Sequence, residues 1–107
     1  MSICDLDKVD AVGKDKNENA LRMMLADHLD WEDEGIHLEI LQDKINYYLQ
    51  YITNKQYLQD YGEVPKFIIV IFFKYPITDN CNKFIGVVSE QLKEENIFLE
   101  IHIDEEG

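Results

Sequence analysis

The sequence predicts an α+β fold: a four-stranded mixed sheet with two helices, in the order β-β-α-β-α-β. Three observations carry this expectation. Residues 67–73, Phe-Ile-Ile-Val-Ile-Phe-Phe, form an unbroken β-branched and aromatic run, the pattern of a central strand buried on both faces. Leu38, Leu41, Ile45, Leu49 and Ile52 recur at spacings of three and four, the stripe of an amphipathic helix. Ile97, Leu99, Ile101 and Ile103 alternate with Phe98, Glu100 and His102, the period of a half-exposed strand.

The remaining elements follow in chain order. Residues 8–13 alternate weakly, as a first strand would, and the polar stretch Lys14 to Asn19 suits a turn. Leu21, Met23 and Leu25 then alternate with Arg22 and Met24, giving the second strand of a hairpin. Asp27 to Gly35 is an acidic connection in which Asp30 or Asp33 can cap the first helix, because a short carboxylate accepts from free backbone N–H groups there. That helix weakens near Thr53-Asn54. Residues 56–61 suit a further turn or short helix, and Gly62 stops it. Pro65 opens the central strand. Thr78 is placed to cap a second helix whose apolar stripe is Cys81, Ile85, Val88 and Leu92, and Asn96 can take the left-handed conformation that ends it. The segment from residue 67 to the last strand is long enough for a right-handed parallel crossover.

Composition sets the class of partner. The chain has 107 residues, 46% of them hydrophobic, and one domain over residues 1–107 is expected. It carries 22 acidic and 10 basic residues, a formal net charge of -12. Such a field repels nucleic acid, whose binding needs Lys and Arg on phosphates, and repels anionic membranes. It attracts basic partners and speeds their encounter. The longest apolar run spans residues 67–73, far short of the roughly 20 residues of a membrane helix. The N-terminus lacks a basic region followed by an apolar run. Cys4 and Cys81 lie far apart with no His or Cys at metal-ligand spacing. A cytoplasmic protein with reduced thiols and no cofactor is expected.

Catalytic patterns are sparse. Ser2 and Ser89 lack a glycine elbow, neither cysteine has a sequence-local His, and no phosphate-binding glycine loop is present. No enzyme is expected. An enzyme reading would have to build a metal site on Asp27, His28 and Asp30, yet the spacing lacks the alternating ligands and central Gly of a calcium loop. His28 is the histidine placed to orient that loop by hydrogen bonding.

The charge is unevenly placed. From Met23 to Asp43 there is no Lys or Arg, while Asp27, Asp30, Glu32, Asp33, Glu34, Glu39 and Asp43 all fall in this stretch. Tyr47, Tyr48, Tyr51, Tyr57 and Tyr61 follow closely. Acids beside tyrosines suit a surface that meets Lys and Arg, because Tyr offers contact area at low entropic cost and a face for cations. The plainer reading is a solvated helix face with tyrosines flanking the core stripe. Trp31, the one tryptophan, either covers an end of the core or anchors an interface. The candidate partner-binding set is Asp27, Asp30, Trp31, Glu32, Asp33, Glu34, Glu39, Asp43, Tyr47 and Tyr51.

Several segments are familiar together. Val9-Asp10-Ala11-Val12-Gly13, Asp27-His28-Leu29-Asp30-Trp31, Leu41-Gln42-Asp43-Lys44-Ile45-Asn46 following Leu38, and Lys74-Tyr75-Pro76 make a pattern that resembles a small bacterial family of unknown function, DUF6572. The resemblance covers nearly the whole chain, and Asp-His-Leu-Asp-Trp is its most specific part. The chain departs from it in the hairpin turn and in having Asn96 where Gly is usual. The resemblance implies a bacterial cytosolic protein of this layout and supplies no catalytic residues. By analogy with small acidic bacterial immunity proteins, the expected function is binding and neutralising a cognate basic toxin domain, a nuclease of the contact-dependent growth inhibition type. The alternative is an adaptor or regulatory protein-binding domain. The free chain is expected to be a monomer or weak homodimer.

Overall fold

The structure, a computed structural model, describes residues 11–104. Cys4 and the expected strand start at residues 8–10 lie outside the described residues. A hairpin opens the fold, with β1 (Ala11–Asp15) antiparallel to β2 (Ala20–Asp27). The strand runs two residues past its expected end, because Lys14 and Asp15 pair with Leu21 and Ala20. The Asp15 carboxylate accepts from the Asn17 and Glu18 N–H groups at 3.0 and 3.3 Å, closing the turn. Asn19 takes a φ of 51°, a left-handed conformation that Asn tolerates better than most side chains.

Helix α1 (Glu34–Thr53) follows, then a short α2 (Leu58–Tyr61), β3 (Lys66–Phe73), α3 (Asp79–Lys93) and β4 (Ile97–Ile103). Among the described residues there are thus three helices where two were expected in the element order; within residues 56–61, the expected further turn or short helix is α2, which ends at Gly62 with a φ of 72°. The caps are local chemistry. Of the two candidates, Asp33 caps α1, its Oδ1 accepting from the Ile36 N–H at 3.2 Å. The Thr78 hydroxyl accepts from the Cys81 N–H at 3.1 Å. Asn96 follows α3 with a φ of 62°.

The sheet order is β1-β2-β3-β4, mixed as expected, with β2–β3 and β3–β4 parallel. Two crossovers stepping the same way across a sheet lay their helices on the same face when both share the usual handedness. Accordingly Leu41, Ile45 and Tyr48 of α1 and Cys81, Ile85 and Leu92 of α3 share one core with Leu21, Met23, Leu25, Ile69 and Ile71. A smaller cluster of Ala20, Ile68 and Val70 lies on the other face with Met24 against it. Phe72 departs from the expectation of a strand buried on both faces. It is 45% exposed, because its side chain points to that second face near the strand end, where it stacks on His102.

The stripe of α1 is rotated from the one the periodicity suggests. His37, Leu41, Lys44, Ile45 and Tyr48 are buried, whereas Leu38, Leu49 and Ile52 are half-buried. The reason is polar. The Tyr48 hydroxyl donates to the Met24 carbonyl, His37 bonds into the loop before α1, and the Lys44 ammonium lies 5.6 Å from the Tyr48 ring centre. No described helix is long and apolar enough to cross a membrane.

Candidate functional site

The parallel strands β2, β3 and β4 all end at one edge of the sheet, at Asp27, Phe73 and Ile103. The connections that follow these strands gather there. Here the acidic connection from Asp27 to Asp33 leaves the edge and enters α1.

This loop is built around a buried histidine. His37 and Asp27 are 2% and 1% exposed, and Nε2 of His37 lies 2.6 Å from Oδ2 of Asp27. Nδ1 of His37 lies 2.9 Å from the Asp30 carbonyl, which can only accept, so Nδ1 carries a proton. The contact between Nε2 and Oδ2 then needs one further proton held between the two atoms. Whether that proton sits on nitrogen or oxygen, the pair is neutral overall. Burial pushes the Asp27 carboxyl above its ordinary value, against the His37 hydrogen bond and charge that pull it down. The Leu29 N–H donates to the other Asp27 oxygen at 3.1 Å. The Trp31 indole stacks on the imidazole, with ring centres 3.7 Å apart and planes 19° from parallel. Its Nε1–H is buried without an acceptor among the described residues.

These contacts redistribute the candidate residues. Asp27 does not belong to a partner-facing surface: it is buried against His37 and adds no net charge outside. The loop-orienting role expected of His28 falls to His37, while His28 is exposed. Trp31 is half-buried and covers the His37 ring and one end of the core. Asp30, Glu32 and Asp33 are exposed around a pocket of about 400 Å³, whose other walls are the apolar Leu29, Ile36 and Ile40 with His37 beneath. Asp30 also accepts from the Glu32 N–H at 3.1 Å, which fixes the turn. Glu34 is turned toward α3, where Thr78 and Asn80 hold its carboxyl below the usual range. Glu39, Asp43, Tyr47 and Tyr51 are spaced four apart and form a ridge along α1 leading away from the pocket. Tyr51 leans toward α2, 6.4 Å from the Tyr57 ring, and burial raises its hydroxyl. Among the described residues, Glu32, Glu39 and Asp43 have no basic partner.

Residues 1–105 match the model of a family of unknown function, DUF6572. The chain belongs to this family. No curated protein and no solved structure matches it.

His37 was the residue that the pattern of this DUF6572 chain concealed. One local signal was present: His37 lies four residues before Leu41, on the same helix face, and a histidine on a buried face needs polar partners. Nothing local names Asp27, ten residues earlier, as that partner. A second pocket of about 310 Å³ opens at the strand ends beside Asp27 and Lys74. Cys81 is free and buried, and burial, with the nearby Asp27 and Glu34 charges, pushes its thiol up to about 12. The thiolate is the reactive form, so Cys81 of a Cys4→Ser chain should resist a maleimide at pH 8 and react on unfolding in urea. Labelling of the native chain at the rate of a free thiol would contradict this burial.

The arrangement suits recognition of a basic side chain. A Lys or Arg can lay its methylene stem on Leu29, Ile36 and Ile40 and present its charge to Asp30, Glu32 and Asp33. The loop is held by the inner Asp27–His37–Trp31 stack, so these carboxylates are placed before any partner arrives.

Proposed function

We propose that this DUF6572 chain is an immunity protein, a binding protein and not an enzyme. It neutralises a cognate basic bacterial toxin domain, a nuclease of the contact-dependent growth inhibition type, in the cytoplasm. The observation that carries the reading is the acid-rimmed apolar pocket at the start of α1, continued by uncompensated acids along that helix. A nuclease must present Lys and Arg to phosphates, so a surface of carboxylates in a fixed arrangement competes for the same side chains. The long-range field of a chain with net charge -12 speeds the encounter, and the pocket supplies the specific contact.

The test is co-expression with the product of the adjacent reading frame. That product alone is expected to arrest growth, this chain to restore it, and the two to co-purify. A neighbour that is harmless, or toxic and not rescued, removes the toxin assignment.

A further inference from the structure

The two edges of the sheet differ in a way that bears on self-association. Over the described residues the β1 edge has five residues and carries Gly13 and Lys14, which discourage further pairing. β4 has seven residues, Ile-Phe-Leu-Glu-Ile-His-Ile, without Lys, Pro or Gly. It pairs with β3 from Phe67↔Ile97 to Phe73↔Ile103 without a bulge. No described strand or helix pairs with its outer side. Long, straight, apolar edges of this kind are templates for another strand.

The backbone phase defines which residues face outward. The Phe67 N–H donates to the Asn96 carbonyl at 3.0 Å and the Asp104 N–H to the Phe73 carbonyl at 2.8 Å. Even-numbered residues of β4 therefore turn their backbone groups toward β3. Ile97, Leu99, Ile101 and Ile103 turn theirs outward. In an antiparallel partner odd residues must accordingly face odd residues, so the two-fold centre falls on a residue of β4, odd or even.

We propose that a second copy of this chain adds its own β4 antiparallel along this edge, centred on Ile101, joining two sheets into one. In this register Ile101 meets Ile101 of the second copy as a hydrogen-bonded pair, and Leu99 meets Ile103. Glu100 then lies directly opposite His102, in the non-hydrogen-bonded position where side chains approach most closely. Centring on Leu99 sets Glu100 against Phe98, and centring on Glu100 or His102 sets it against a second Glu100 or against Asp104, so charge complementarity selects Ile101. Within one chain Glu100 already gathers Arg22 and His102, the latter at 2.8 Å, so it is held in place for a cross-strand contact on the same face. Ile103, 39% exposed in the single chain, gains a cover. The acid-rimmed pocket lies on the α1 side of the loop after β2, and β4 contributes no residue to it. The dimer is therefore independent of the toxin reading.

Two copies of net charge -12 repel each other, so association must strengthen with salt, opposite in sign to the binding of a basic partner. Sedimentation velocity on the full chain, at concentrations on the order of 100 μM, should show a dimer fraction that rises between low and high NaCl. Ile103→Lys and His102→Glu alter exposed side chains and should each weaken the dimer at least tenfold, with unchanged far-UV circular dichroism. Ala11→Lys on the β1 edge should leave it intact. A chain that stays monomeric at both salts overturns the proposal. So does a dimer that survives both β4 variants, or one abolished only by the β1 variant.

Discussion

His37→Ala should destabilise the protein by about 3–5 kcal/mol, because it leaves the buried Asp27 oxygen and the Asp30 carbonyl without a donor, at about 1–3 kcal/mol each, and opens a cavity under Trp31. A domain of this size is stable by about 5–15 kcal/mol, so the loss should lower the melting temperature by about 15 °C or more. Asp27→Ala should cost a similar amount, since it strands Nε2 of His37 and the Leu29 N–H. The double variant His37→Ala/Asp27→Ala should be less destabilised than the two single costs added, because each single loss includes the penalty of the same orphaned partner. Additive losses would show that the pair contributes nothing as a pair.

Asp27→Asn separates the hydrogen bond from the charge. With Nδ1 of His37 committed to the Asp30 carbonyl, neutral Nε2 can accept from the new amide N–H, and the amide oxygen can still receive the Leu29 N–H. This variant should lose much less than Asp27→Ala at pH 7. Its pH response should differ from that of the native chain. Asp27 has a raised native value, so between that value and the ordinary 3.8 the native chain holds a proton the unfolded chain releases. The contribution of this group therefore grows as pH falls through that window and is lost as pH rises out of it. The amide variant lacks this group. The native chain should gain on Asp27→Asn in melting temperature as the pH is lowered from 7 toward 4. Parallel curves would mean that burial does not raise the Asp27 carboxyl.

The second large effect concerns the pocket. Asp30→Asn/Glu32→Gln/Asp33→Asn removes three charges yet keeps the oxygens that cap α1 and close the turn before it. Against the toxin domain proposed as its partner, this triple should weaken binding by at least two orders of magnitude. A charge-assisted hydrogen bond contributes about 1.5–3 kcal/mol, and about 1.4 kcal/mol is a factor of ten. Asp60→Asn/Glu94→Gln/Glu95→Gln removes the same charge from exposed acids elsewhere on the surface. It should alter chiefly the association rate and its salt dependence, by less than about tenfold in affinity. Equal losses from the two triples would mean that bulk charge alone attracts the partner. Asp27 and Glu34 are unsuitable for this comparison despite lying in the same acidic run, because one is buried with His37 and the other is tied to Thr78 and Asn80.

Local signals along the chain specify β2, β3, β4 and the two long helices, with the end of β1 misplaced by two residues. The stripe at 38–52, the run at 67–73 and the alternation at 97–103 depend on local periodicity, and Asp33, Thr78 and Asn96 act on groups within a few residues. The mixed character of the sheet follows from crossover lengths. The placement of the acids is another matter. Asp27 and Asp30 are chemically alike and three residues apart, yet one is buried and the other faces solvent. Burial of a carboxyl is tolerable only where a partner offsets its lost hydration. That partner, His37, becomes available only when α1 crosses the end of β2. The same packing turns α1 so that Tyr48 reaches the Met24 carbonyl, and it leaves Leu38 and Leu49 half-buried. Periodicity describes which residues share a helix face. How that face is turned, and which of seven acids remain outside to meet a partner, is decided by polar groups that meet only in the folded chain.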